Sequence, residues 1–387
     1  MTKRMCRGVV TALVLFAITS LLPSGSSRSN PLVDVLQAQA PAAARRAAPI
    51  ARAADGHPDL QGTFDVATIT PLERAPELGT RMVLTEKEAA QLEGAEQQWN
   101  ERLSADLSGD RSAPPVGGDT SPTTSYLDRL FRFGGGVVGG YNNFWLAGGT
   151  QVVTVDGQKR SSIVVDPPDG RLPAMKPEAQ KRNAAFLLGA VNPSANEAEA
   201  ASPVRTMFDN PEQRPLAERC LLGFGSTSGP PTLPNYFYNN LKQIVQTPTT
   251  IMILVEMVHD VRIIRMNATH LPPTVSKWMG DSIGRWEGDT LVVDTTNFTG
   301  KTQFQGSTDA LHVVERFTPV EGGNILYRFT VEDPNTWERP WSGEYTWRAT
   351  SENVYEYACH EGNHALTNVL RGARFSEREG SAQKVNR

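Results

Sequence analysis

A mainly β fold, an antiparallel barrel or a two-sheet sandwich with a few short helices, is what three features of this sequence predict. Short segments with apolar–polar alternation recur from residue 242 to residue 359, Gly- and Pro-rich turns separate them, and helical periodicity is scarce. With 33 Gly and 27 Pro in 387 residues, turn signals are frequent enough to join many short strands. Most connections are only a few residues long, which favours antiparallel neighbours in a meander. Alternation alone leaves barrel and sandwich both open.

The elements follow in order. Lys3, Arg4 and Arg7 precede an apolar run over 9–22 that is short for a bilayer and fades into Pro-Ser-Gly-Ser-Ser. That pattern reads as a cleaved secretory signal over 1–26, with Ser24 and Ser26 as a small-x-small cleavage site. Residues 27–56 are rich in Ala, Arg and Pro without periodicity and read as a disordered leader. An N-terminal segment with one helix is expected over 57–125 and a β-rich domain over 126–380. Thr85 and Glu88 form a capping box that opens the helix, 86 to about 107. A Gly/Pro/Ser/Asp loop fills 108–124, and Pro177 sits in the first turn of a second helix running to about 187. Asp156-Gly157 marks a hairpin between 151–155 and 161–165. Further strands are expected at 242–247, 251–257, 261–266, 290–298, 311–317, 325–332, 343–348 and 354–359, with 284–289 (Gly-Arg-Trp-Glu-Gly-Asp) as a turn. Asn363 is placed to cap a short helix over 364–371, ended by Gly372.

Charge and cysteine content limit the setting. The net charge is −4, and a leader carrying Lys3, Arg4 and Arg7 removes three positive charges to leave −7. A mildly acidic chain without a basic patch argues against nucleic acid as a partner. No later segment is long and apolar enough to cross a membrane, so no membrane association is expected after signal cleavage. Cys6 would leave with the signal. Cys220 and Cys359 then remain, and two cysteines in an oxidising periplasmic or secreted setting most economically form one disulfide.

The chemistry-bearing residues gather toward the C-terminus. Residues 355–364 read Tyr-Glu-Tyr-Ala-Cys-His-Glu-Gly-Asn-His and contain a formal H-E-x-x-H. Zinc binding by that motif needs both histidines on one helix face, whereas this stretch reads as strand end, turn and helix start. Thr367 stands three residues after His364, where the extended motif has Gly, so no dedicated metal site is assigned. A formal Gly134-x-Gly136-x-x-Gly139 lacks the strand–turn–helix unit that gives a dinucleotide fingerprint meaning, and no G-x-S-x-G elbow is present. No cofactor is identified.

Histidine beside carboxylates suits proton transfer near neutral pH. His360 is the first candidate for general acid or base, Glu361 and Glu356 are its candidate carboxylates, and His312 or His259 could complete the site. Strand alternation sends Asp294 and Thr296 to a common face. Arg285 is a candidate for neutralising an anionic substrate group, with Trp286, Tyr357 and Asn363 as further binding residues. Trp278, Trp286, Trp337, Trp341 and Trp347 crowd into the same region, which suits either an aromatic-lined cleft or a large aromatic core.

Thr70-Pro-Leu-Glu-Arg74, the run from Gly284-Arg-Trp-Glu-Gly-Asp to Asp294-Thr-Thr-Asn-Phe298, and Tyr355-Glu-Tyr-Ala-Cys-His-Glu-Gly-Asn363 together resemble a family of secreted bacterial proteins without an assigned reaction. The likeness covers about 57–375 and implies export and one integrated fold. The meander and its Trp-x-Gly-like turns are also similar to lipocalin-type barrels, a likeness of fold alone. The resulting expectation is an exported enzyme acting on a small carbohydrate or aromatic compound by His/Glu acid–base chemistry. The alternatives are a small-molecule-binding barrel without turnover and a metal-binding protein using His360, His364 and a strand histidine. The sequence is silent on oligomeric state.

Overall fold

The computed structural model describes residues 50–104, 148–183, 208–223, 229–235, 238–302 and 304–385. The signal, most of the leader, the 108–124 loop, the Gly134–Gly139 pattern and the end of the second expected helix lie outside them.

Nine strands close into a barrel: β1 (Gly62–Asp65), β5 (Leu241–Gln246), β6 (Thr250–Val255), β7 (Asp260–Met266), β8 (Asp281–Glu287), β9 (Thr290–Thr296), β10 (His312–Pro319), β11 (Ile325–Glu332) and β12 (Trp341–Thr350). Closure comes from β1, which pairs antiparallel with β5 on one side and β12 on the other. The N-terminal segment therefore contributes a stave of the barrel. β2 (Thr154–Val155) and β3 (Gln158–Lys159) form the small hairpin around Asp156-Gly157, so its second strand is 158–159 and not the expected 161–165, and β4 (Val164–Asp166) adds onto β12 instead. Helix α1 (Glu86–Ser104) opens with the expected box: Glu88 N donates to Thr85 Oγ1 and Thr85 N donates to Glu88 Oε2. Helix α2 is described over 177–183, and α3 is His364–Val385.

The fold is thus a barrel and not a sandwich, and it is mixed where an antiparallel sheet was expected. An odd ring of strands cannot alternate direction throughout, so one junction must be parallel. That junction is β7–β8, with Ile264 opposite Ser282. A parallel pair needs a crossover, and residues 267–280 supply it on the outside of the wall.

Alternation fills the interior. In β11 Tyr327, Phe329 and Val331 are buried while Arg328, Thr330 and Glu332 are exposed. Tyr327 meets Trp347 at 5.2 Å and Tyr345 at 5.3 Å between ring centroids, and Phe329 meets Trp341 at 5.7 Å. The barrel is packed with side chains and differs in this from a ligand-holding lipocalin type. Residues 229–235 are buried throughout: Thr232 N donates to the Tyr327 hydroxyl (3.0 Å) and the Tyr345 hydroxyl donates to Thr232 O (2.6 Å). Tyr327 in turn donates to Glu315 (2.7 Å), which pairs with Arg262 at 2.8 Å.

Three further expectations are corrected. Residues 281–287 form strand β8, not a turn at 284–289. Residues 354–359, expected as a strand, lack regular structure. Because β1 already occupies the edge of β12, no partner is left for them, and Tyr355 is 70 % exposed. Asn363 does cap α3, accepting from Leu366 N (3.5 Å), but Gly372 does not end it. A Cβ at Gly372 would meet nothing, so this glycine sits on an open helix face and only weakens it by about 1 kcal/mol.

Residues 351–363 form a strap down the outer wall of β5 and β6, pinned by a Cys220–Cys359 disulfide. This bridge is the pairing expected from the sequence. Residues 50–56, at the end of the expected leader, are described: Arg52 bridges to Pro58 and pairs with Asp289 at 3.0 Å. Among the described residues, no helix is long and apolar enough to cross a membrane.

Candidate functional site

The crossover brings together residues that are far from regular in sequence spacing. Asp281 opens β8 and faces outward beneath the crossover, where its side chain is 1 % exposed. It accepts from Leu271 N (3.0 Å), Lys277 Nζ (3.0 Å) and Arg265 Nη2 (2.8 Å), and lies 3.3 Å from His270 Nδ1. Burial opposes ionisation, but the bonds from Leu271, Lys277 and His270 outweigh it and hold the carboxyl at about 2. The strand thereby fixes the loop that carries His270.

His270 then reaches Asp294 on β9, with Nε2 2.9 Å from Oδ1. His312, the first residue of β10, places its own Nε2 3.2 Å from Oδ1 and 3.3 Å from Oδ2 of the same carboxylate. The Asp294 carboxyl is held below its usual range, chiefly by the His312 hydrogen bond and also by His270, against partial burial. An ionised carboxylate only accepts, so both imidazoles donate to it from Nε2. His312 is raised from its usual value, first by that hydrogen bond and then, after a smaller opposing effect of burial, by the charges of Asp294 and Glu332. Side-chain exposure rises along the series: 1 % for Asp281, 26 % for His270, 28 % for Asp294 and 37 % for His312. The series runs from a buried anchor to an open imidazole.

That imidazole lines a cleft of about 420 Å³ on the barrel's outer wall. Pro273 and Ser276 of the crossover form one side, and Thr296–Gly300 with Asp309–His312 form the other. A carboxylate-backed histidine with one face toward a polar cleft can donate or accept a proton from a bound molecule. Asp309 is the carboxylate of the lining.

Of the site residues expected from sequence, His312 is here; Asp294 and Thr296, expected only to share a face with one another, stand beside it. The role of Asp294, and His270 and Asp281 altogether, were missed. The available signal for His270 and Asp281 was the long connection between two strands, with a histidine and a carboxylate at its ends. His259 and Glu356 line a second groove of about 390 Å³ between the strap and β1, β5 and β6, together with buried Glu256. His259 Nδ1 lies 3.3 Å from Tyr357 O. It is reached through a corner where Val258 (φ 61°) and His259 (φ 48°) are both left-handed, a costly conformation for a β-branched residue.

The other candidates are elsewhere. His360 and Glu361 are exposed in the turn before α3 and line neither cavity. His364 is the first residue of α3, so the two histidines of the H-E-x-x-H do not share a helix face. Arg285 is paired on the outer surface with Glu287 (2.6 Å), which also holds Arg316 (2.8 Å). Trp286 is stacked under His57 at 5.0 Å. Tyr357 stacks on Tyr238, and Asn363 donates to Glu218 O (3.1 Å) as well as capping α3. Among the described residues, no group of three His, Cys, Asp or Glu side chains is arranged to hold a metal ion.

Fold and site together define a filled, mixed β-barrel with a hydrogen-bonded histidine–carboxylate series mounted on its outer wall. Comparison of the chain with family models, curated proteins and solved structures finds no match.

Proposed function

We propose that this protein is an exported enzyme that acts on a small hydroxylated compound, a carbohydrate above all, by proton transfer through His312. The observation that carries the reading is the hydrogen-bonded series Asp281–His270–Asp294–His312, ending at the wall of the polar cleft. Asp294 orients the His312 ring and favours its protonated form, which suits a general acid, and Asp309 stands in the same lining as the partner carboxylate. Ser276 and Thr299 bring hydroxyl groups to the lining for a sugar, while Asn297, whose amide donates to Leu271 O and Pro272 O and accepts from the Thr296 hydroxyl, ties the crossover to the cleft wall. Carbohydrate is preferred to an aromatic substrate because Trp337, Trp341 and Trp347 are used in the core. The disulfide fits an oxidising compartment, consistent with export.

The test is a turnover screen of glycosides and phenolics with wild type, His312→Ala, Asp294→Asn and His360→Ala. Loss of about 10²- to 10⁴-fold in His312→Ala, with His360→Ala unaffected, is expected. A fully active, folded His312→Ala protein sinks the reading. Binding without turnover is the competing reading, favoured by the open form of the cleft. Saturable heat in calorimetry without product from any bound compound would select it.

A further inference from the structure

Asp294 serves two imidazoles with one carboxylate. Its Oδ1 accepts from His270 at 2.9 Å and from His312 at 3.2 Å, and its Oδ2 accepts from His312 alone at 3.3 Å. The shorter bond belongs to the histidine that does not line the cleft. That histidine is fixed from behind by Asp281, which is itself fixed by Arg265, Lys277 and Leu271 N. His312 has no comparable anchor: its Nδ1 lies 3.9 Å from Glu332 across the β10–β11 pair.

We propose that His270 is a positioning residue that divides the charge of Asp294, and so sets how tightly the carboxylate grips His312. The proposal rests on the reading of His312 as the proton carrier. A donor already bound to an acceptor oxygen withdraws electron density from it, so a second donor on that oxygen is held more weakly. The crossover, tied to β8 through the bonds that Leu271 N and Lys277 make to Asp281, delivers this competing donor. The charged or titratable groups around His312 are Asp294 from β9, Glu332 from β11 and Asp309 from the connection before β10. Among the described residues, the crossover adds His270 through the shared carboxylate, and its Lys277 is paired with Asp281. The gain for catalysis is a histidine oriented by a carboxylate yet not locked to it, free to lose its proton to substrate.

The experiment is a pH titration of histidine ring signals by NMR in the oxidised mature protein, with His312 assigned by His312→Gln. In His270→Phe, which keeps a ring in the space but removes the donor, Asp294 turns wholly to His312. Proton binding by His312 should tighten about three- to tenfold, half to one pH unit. His270→Gln, whose amide can still donate to Asp294, should return it toward wild type. A His312 titration that is unchanged or weakened in a folded His270→Phe protein overturns the proposal, as does identical behaviour of the Phe and Gln variants. If His270→Phe fails to fold, the unaltered protein decides. The His270 Nε2–H resonance should move with the midpoint of the His312 titration, and independence of the two overturns the sharing. Turnover is not read here, so the enzyme reading fails separately, in the substrate screen.

Discussion

Lys242 offers the sharpest test of the barrel's energetics. It points inward between Phe64 and Val255, is 0 % exposed, and its Nζ has no hydrogen-bond partner. Burial pushes its pKa down from 10.5 to about 8, against the attraction of Glu256, Asp260 and Asp65. The desolvation penalty therefore wins over the carboxylates by ~2.5 decades of proton affinity, about 3 kcal/mol at 1.36 kcal/mol per pH unit. Lys242→Met removes the charge and keeps the length. Glu256 keeps its backbone donors Leu241 N and Tyr355 N. The variant should be more stable at pH 7 by about 2–3 kcal/mol, raising Tm by on the order of 5 °C. The sign with pH follows from the lowered pKa. Between about 8 and 10.5 the unfolded chain keeps a proton that the fold has lost, so wild-type stability climbs with pH and the gap closes. Urea unfolding of both proteins at pH 7 and pH 10, disulfides intact, measures it. A variant destabilised by more than about 1 kcal/mol at pH 7, or a gap that does not narrow at pH 10, refutes the argument and makes Lys242 a net-favourable ion-pair partner.

Other perturbations have equally definite outcomes. Glu315→Gln leaves the Arg262 guanidinium without its counter-charge inside the barrel and should cost about 3–5 kcal/mol in urea unfolding. Asp281→Asn should remove about 2 kcal/mol at neutral pH, since the carboxyl is held at about 2 against a usual 3.8. That contribution is present above the unfolded value and lost as pH falls toward 2, so wild type and variant should converge on the acid limb. Breaking the Cys220–Cys359 bridge, which spans 139 residues, should cost at most about 5 kcal/mol by loop entropy, read as a lower Tm in dithiothreitol. Gly343→Ala should destabilise by about 1–3 kcal/mol, because its new methyl would overlap the Phe329 ring and lie 3.0 Å from Ile163 O.

Strands that face a packed interior on one side were legible because alternation is what burial on one face demands. Residues 325–332 were placed end to end on that basis, and the capping box of α1 and the disulfide were legible from local chemistry and cysteine number. β8 was hidden by Gly284, whose missing side chain is needed: a Cβ there would stand 2.7 Å from Met266 Sδ and 2.8 Å from Ile264 Cγ2. The glycine that signalled a turn in sequence marks the close approach of β7 and β8. Residues 354–359 failed for the opposite reason. Their alternation is that of a strand, but pairing depends on a free edge, and closure by β1 removed it. At the site, His312 was a candidate as a histidine among carboxylates, and periodicity put Asp294 and Thr296 on one face, but nothing in the sequence joined Asp294 to His312. His270 was not legible, because a crossover has no period, and its partnership with Asp281 exists only once β7 and β8 are parallel.

The sealing of Trp337, Trp341 and Trp347 has a spectroscopic consequence. Three of the protein's seven tryptophans sit at 2 % exposure or less, with their indole N–H groups unbonded. Indoles in such surroundings emit toward the blue, resist iodide, and shift to the red only when the barrel opens. The blue-shifted, iodide-resistant part of the intrinsic fluorescence is accordingly a gauge of barrel integrity, suited to the unfolding experiments above. For a ligand in the outer cleft those three indoles are deaf, and Trp278, half-buried in the crossover two residues from Ser276, is the indole placed to respond.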